Sequence, residues 1–128
     1  MICLNEFDRT LLDNALNYLY EDIRDKGAAI SSMESALANT SATISARQKL
    51  KKIVREPQDF SPQELKVMYW AVYNLREMVR DFLENGPLTG DSRATILETQ
   101  RACNRQLRFL ASSLSQFGID IRQLFPRH

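Results

Sequence analysis

Side chains that could carry out acid–base or metal chemistry are scarce in this 128-residue chain. The only histidine is the last residue, His128, so a catalytic triad with a firmly held imidazole is effectively excluded. No Glu-x-x-His pair exists to bind a metal in a helical bundle, and the few glycines form no phosphate-binding loop. Carboxylates cluster at Glu21, Asp22 and Asp25, a pattern typical of a solvated helix end. We therefore expect no catalytic activity, no cofactor and no bound metal.

Two sets of basic side chains recur at helical spacing, and we call them the basic ladders. They are Arg47, Lys51 and Arg55 in one segment, and Arg101, Arg105 and Arg108 in another. Since a guanidinium binds phosphate bidentately, adjacent ladders would form a groove for nucleic acid or a phosphorylated ligand. The alternative is that the ladders pair with acidic helices or face water. A net charge of +1 is well below the usual footprint of a nucleic-acid-binding protein.

Aromatic and arginine side chains share one side of the segment 60–86, and we call them the aromatic line. Its members are Tyr69, Tyr73, Arg76 and Arg80, at intervals of four, three and four, with Trp70 beside them. Trp, Tyr and Arg are enriched at the energetic centres of protein interfaces. The line therefore predicts a protein interface or a homodimer seam. The alternative is that Trp70 and the tyrosines complete the core, with their polar tips at its edge.

The segment 60–86 is predicted to be the central helix. Ser61 and Glu64 have the spacing of a capping box, and Pro62 stands at the first helical position. At the other end Gly86 is free to adopt a left-handed conformation, and the following proline cannot continue a helix. The predicted inner stripe is Leu65, Met68, Val72, Leu75, Val79 and Phe82.

Two helices are predicted before this segment. The first runs from about Asp8, its cap, to residue 26, and Gly27 ends it. The second begins near Ser31, which forms a capping box with Glu34, and ends before Pro57. Its Asn-Thr-Ser stretch at 39–41 predicts a break or kink, because these residues are poor helix formers. The inner stripe of the first helix is Leu12, Ala15, Leu16, Leu19 and Ile23.

A fourth helix is predicted from about Asp91 to Phe117, closed by Gly118, with one further turn that packs back onto the bundle. Its inward-facing residues are Ile96, Leu97, Cys103, Leu107, Leu110 and Leu114. A shift of 56 residues superposes the apolar stripe of the first helix on that of the third. The matches are too few to establish duplication, because any two amphipathic helices align in this way.

Charge alternates along the chain. Residues 1–25 contain six acids and two bases, 45–55 five bases and no acid, 56–92 seven acids and three bases, and 93–128 six bases and two acids. In an up-down-up-down bundle this alternation places opposite charges at every seam and disfavours wrong arrangements.

The composition favours an all-α antiparallel four-helix bundle, made of two helical hairpins with a short docked C-terminal turn, in a single domain over 1–128. Gly and Pro number four each, and strand-like alternation is lacking. We expect a cytoplasmic location, because the sequence contains neither a long apolar run nor a secretory signal. Cys3 and Cys103 are expected to be free thiols.

For function, the sequence predicts a small non-catalytic interaction module. It would be regulatory, of the inhibitor or immunity type found in bacteria and phages, and would bind a protein partner through a helical surface. That partner is a protein of unknown identity or a second copy of the chain, and no membrane is involved. The alternative is a binder of nucleic acid or a phosphorylated ligand through the basic ladders, and an enzyme of unrecognised type comes third.

Overall fold

The computed structural model describes residues 4–30, 33–53, 55–86 and 90–124, with backbone alone at 25–30, 33–37 and 123–124. The helices are α1 (Glu6–Ile30), α2 (Met33–Lys52), α3 (Pro62–Asn85), α4 (Gly90–Ser115) and the short α5 (Ile121–Leu124). The predicted all-α antiparallel bundle with a C-terminal turn is confirmed. Alternate helices of such a bundle run in the same direction, so α1 is parallel to α3.

The start of α3 is the predicted capping box. Ser61 is extended, with φ −70° and ψ 160°, and its hydroxyl accepts the Glu64 N–H at 3.1 Å. The Glu64 carboxylate in turn accepts the Ser61 N–H at 2.7 Å. The end of α3 differs from the prediction, because Gly86 has φ −93° and is extended rather than left-handed. The next residue in the sequence is a proline, which forces its predecessor into the extended region.

The boundaries of α1 differ from the predicted ones. The helix begins at Glu6 because Asn5, not Asp8, is the cap: the Asp8 N–H donates to the Asn5 side-chain oxygen at 2.7 Å. It also continues through Gly27 to Ile30. One glycine inside a helix costs only about 1 kcal/mol relative to alanine, and two alanines follow it here.

The predicted break in α2 is wrong, since the helix is continuous through residues 39–41. The Thr43 hydroxyl donates to the Asn39 carbonyl at 2.7 Å, so this threonine satisfies its own polar group inside the helix. The predicted capping box at Ser31 and Glu34 lies outside the described residues. As predicted, α2 ends before Pro57.

The end of α4 and the turn after it match the prediction. Gly118 is left-handed, with φ +75°, and the Ile119 N–H donates to the Leu114 carbonyl at 3.1 Å. This reversal directs the chain back, so that Ile119 and Ile121 pack against the core. The predicted docked turn is therefore present as α5.

The core is arranged around α3, which packs against α1, α2 and α4. Met68 and Val72, in its first half, are completely buried, whereas Val79 is the last buried residue of this helix. The predicted inward position of Phe82 is wrong, because 53% of this residue is exposed. On α4 burial begins only at Ala102, so Ile96 and Leu97 are half-buried. The α3–α4 hairpin therefore extends beyond the core toward its turn.

Ion pairs cross three of the seams with the predicted signs. They join Arg47 to Asp13, Lys49 to Glu64 and Arg105 to Asp8, with N···O distances of 2.9, 2.7 and 2.8 Å. In each pair the acid belongs to α1 or α3 and the base to α2 or α4. Three of the bundle's helix–helix seams therefore carry the charge pairing that the alternation along the sequence predicted.

Glu64 is the most enclosed of these charged groups, with 3% of its surface exposed. Its carboxylate accepts hydrogen bonds from the Lys49 ammonium and the Ser61 N–H, both at 2.7 Å, and a short one from the Ser45 hydroxyl. Burial by itself raises the pKa of Glu64, but the bonds from Lys49, Ser45 and Ser61 together outweigh it. The pKa of Glu64 therefore lies below its usual value.

Because this pKa is depressed by folding, the stability contributed by Glu64 should be lost in acid. The contribution is complete above the unfolded-state pKa of about 4.3 and falls as the pH drops through the lower folded-state value. We expect the difference in unfolding free energy between wild type and Glu64→Gln to shrink as the pH is lowered from 5 to 3 in urea titrations. Glu77→Gln is the control for net charge. A difference that stays constant down to pH 3 would contradict the lowered pKa.

Candidate functional site

The aromatic line is partly occupied by contacts within the chain. Tyr69 belongs to the core, with 8% of its surface exposed, and burial raises the pKa of its hydroxyl. Trp70 and Tyr73 are half-buried and pack against the core. The Arg76 guanidinium lies 5.1 Å from the centre of the Tyr73 ring, and Arg80 forms an ion pair with a glutamate one turn before it. An interface at this line would have only the outer surfaces of Trp70 and Tyr73 as aromatic contacts.

The basic ladders do not form a shared groove, because the described residues of α2 and α4 do not contact each other. Arg47 donates to Asp13 at 2.9 Å and to Asn17 at 3.0 Å. Arg105 is held by Asp8. Lys51, Arg55, Arg101 and Arg108 are exposed, and Arg105 is also exposed although it pairs with Asp8. One member of each ladder therefore has the role that the alternative interpretation predicted, pairing with an acidic helix.

Cys103 is a free thiol, as predicted, and it is fully buried. Burial raises the pKa of Cys103 to about 11, although the nearby positive charge of Arg76 opposes this. A thiol with this pKa is protonated at neutral pH, and the thiolate is the reactive form. Cys103 is therefore a core residue without nucleophilic chemistry. Cys3 lies outside the described residues.

A surface depression lies between the parallel helices α1 and α3, and we call it the α1–α3 groove. Its volume is about 510 Å³. The small side chains of Ala15 and Ala71 leave room along it, and Leu19 and Leu75 supply an apolar surface. Each of these two pairs is separated by 56 residues. The groove is therefore lined by residues from the two apolar stripes that resemble each other in sequence.

The rim of the groove combines exposed apolar side chains with acidic ones. Tyr18 is 54% exposed and Met78 is 43% exposed. The carboxylates of Glu21 and Asp22 also line it, and no lysine or arginine is among the described side chains that do. Phe82, exposed one turn beyond Met78 on α3, extends the apolar surface along the helix.

The α1–α3 groove was not predicted as a site. Tyr18 and Met78 were left outside the predicted inner stripes, and the acidic cluster at Glu21 and Asp22 was interpreted as a solvated helix end. The sequence signal that identifies the site is positional. Residues 15, 18, 19 and 22 of α1 share one side of a helix, as do 71, 74, 75 and 78 of α3.

Neither the comparisons with known proteins nor the search for metal-binding groups assigns a ligand to this groove. No protein-family model, curated protein or solved structure matches the chain. In the described part of the chain, no group of acids, cysteines and histidines is arranged to hold a metal ion. Among the same residues, no helix is long and apolar enough to cross a membrane. The groove does have the surface that an apolar side chain with a neighbouring positive charge would complement.

Proposed function

We propose that this chain is a small non-catalytic interaction module that binds a helical segment of a protein partner in the α1–α3 groove. The observation that carries the proposal is the exposure of Tyr18 and Met78 beside an apolar groove of about 510 Å³. Because each of these side chains is already about half-buried, covering the rest of one contributes roughly 1 kcal/mol, about half the value for complete burial. A helix laid in an apolar groove is a recurring mode of protein recognition, anchored by side chains three, four and seven residues apart.

The dimensions of the groove fit this mode. On α1 it extends from Ala15 to Asp22, and on α3 from Ala71 to Met78. Seven residues of helix span about 10.5 Å, which is two turns. A partner helix lying along it would place two or three apolar side chains between Tyr18 and Met78. A regulatory role in the cytoplasm, of the inhibitor or immunity type, is part of the same proposal.

Compared with the aromatic line, the groove is the better supported interface. Tyr69 and Tyr73 contribute to core packing, and Arg80 is engaged with Glu77. Tyr18 and Met78, in contrast, keep about half of their surface exposed. We therefore place the partner at the α1–α3 groove, with the outer surface of Trp70 and its neighbours as a secondary candidate.

The experiment that tests the proposal is site-specific photo-crosslinking. A benzoylphenylalanine at position 18 or 78 places the reactive group at the groove, and the same residue at position 44 is the control, because Ile44 is exposed on α2, away from the groove. We expect a discrete adduct from positions 18 and 78 and none from 44. Replacing Leu75 by lysine should reduce the adduct at position 18, because it introduces a charge at the groove's apolar surface. Equal adducts from all three positions, or none from 18 and 78, would contradict the proposal.

A further inference from the structure

We propose that the occupant of the α1–α3 groove is helix α4 of a second copy of this chain, so that copies associate head to tail. This inference rests on the proposed function and names its partner. It is drawn from two surfaces that lie on different parts of the same molecule and complement each other in charge and in apolar character. One is the groove, and the other is the exposed face of α4.

Charge is the first point of complementarity. Among the side chains that the structure describes, the groove is lined by the acids Glu21 and Asp22 and by no base, while Arg101 and Arg108 are exposed on α4. The intervals of the ladder place these two arginines on one side of the helix. Because opposite signs are concentrated on separate helices while the net charge is only +1, repulsion between copies is small. Such patches steer complementary surfaces together and disfavour like-charged contacts.

Apolar contact is the second point. Phe109 follows Arg108 directly, and it is exposed although it lies within α4. A phenylalanine inserted between Tyr18 and Met78 would form an aromatic pair with one and a sulfur–aromatic contact with the other, each a favourable geometry. The groove has sufficient volume for this ring. Insertion of Phe109 would also bring the preceding residue, Arg108, to the groove.

The charges also disfavour one possible symmetry of the association. A twofold dimer that paired groove with groove would bring the carboxylates of one copy toward those of the other, which is repulsive. In the head-to-tail arrangement, α4 of one copy lies in the groove of the next, which leaves one groove and one α4 free on the resulting dimer. Such a heterologous interface continues into a ring or an open chain. We therefore expect association that does not stop at two copies.

The test uses two variants, each blocked at one surface. Tyr18→Ser with Glu21→Arg alters the groove, and Arg108→Glu with Phe109→Ser alters α4. Loss of a hot spot worth about 2 kcal/mol weakens binding about 30-fold. In sedimentation velocity over a range of concentrations, we expect the self-association of each variant to be at least about 30-fold weaker than that of wild type. An equimolar mixture should form dimers and nothing larger, because one intact groove meets one intact α4.

The matched controls are a charge reversal and the removal of an apolar side chain at positions outside the two proposed surfaces. Arg93→Glu reverses an exposed charge in the first turn of α4, and Ile44→Ser removes an exposed apolar side chain on α2. Both should associate like wild type. Circular dichroism establishes that each variant remains helical. Should a double variant lose helicity, Glu21→Arg and Arg108→Glu alone give the same prediction, since both alter exposed side chains.

Three results would overturn the inference. They are a wild-type protein that remains monomeric at several hundred micromolar, blocked variants that associate like wild type, and a mixture of blocked variants that forms no dimer. The photo-crosslinking separates this failure from failure of the proposed function. A position-18 adduct with a different polypeptide would keep the groove as the binding site and reject the second copy as its occupant. An adduct of two identical chains supports both.

Discussion

Replacing Glu64 by alanine is expected to lower the free energy of unfolding by about 3 kcal/mol. Removal of one member of a buried, hydrogen-bonded charge pair typically has an effect of this size. The carboxylate binds three donors from two parts of the chain: Ser45 and Lys49 of α2, and the Ser61 N–H at the start of α3. Alanine would leave the Ser61 N–H without its acceptor and the Lys49 ammonium without its counter-charge. Since Lys49 is partly exposed and can turn to water, the cost should fall at the lower end of the range for such pairs.

Equilibrium urea unfolding of wild type, Glu64→Ala and Glu77→Ala measures this effect. Glu77 is the matched control because it is on the same helix and also pairs with arginines, but at the surface. Exposed pairs contribute only about 0–1 kcal/mol, so Glu77→Ala should remain close to wild type. Equal destabilisation by the two substitutions would mean that the Glu64 contacts add nothing beyond a surface ion pair.

Local signals explain what could be predicted from the sequence. The capping box at Ser61 and Glu64 was predictable because its two hydrogen bonds join residues three positions apart. The remaining bonds of Glu64, from Ser45 and Lys49, cross 19 and 15 residues of chain. Nothing local indicates them, since they depend on how α2 lies against α3. The sequence could therefore place the start of α3 but not the polar contacts that fix α2 to it.

The same distinction applies to the candidate site. The apolar stripes of α1 and α3 were visible as repeating intervals, but their edges were not, because a stripe does not reveal how far a neighbouring helix covers it. Phe82 continues the stripe of α3 in sequence and is nevertheless exposed. Tyr18 and Met78 stand at the edge of their stripes, and the space between them depends on how α1 and α3 pack against each other.

The aromatic line shows how composition can misdirect a search for an interface. Tyr69, Tyr73 and Arg76 have the residue types of a binding hot spot, yet Tyr69 is buried and Arg76 covers the Tyr73 ring. Aromatic side chains with polar tips serve the edge of a core as well as an interface. Periodicity places such residues on a helix face, and only the packing of the neighbouring helices decides which role they have.

Two methionines on α3 are expected to separate the stability of the bundle from its binding surface. Met68 is completely buried at the centre of the core, whereas Met78 is 43% exposed at the groove. Met68→Ala should therefore lower the free energy of unfolding by about 3 kcal/mol, the usual cost of such a cavity. Met78→Ala should lower it by less than about 1 kcal/mol, because a surface position creates no enclosed void.

Binding at the groove should respond to the two substitutions in the opposite order. Comparing Met68→Ala with Met78→Ala therefore separates stability from binding. Met78→Ala removes a side chain that a partner helix would cover, so we expect binding at the groove to weaken by about tenfold, equivalent to 1.4 kcal/mol. Met68→Ala changes no exposed surface and should bind like wild type while it is folded. Urea unfolding and sedimentation on the same preparations measure both properties. If Met78→Ala instead destabilised the fold as much as Met68→Ala, residue 78 would be a core residue, and the groove would lose one of its two exposed apolar contacts.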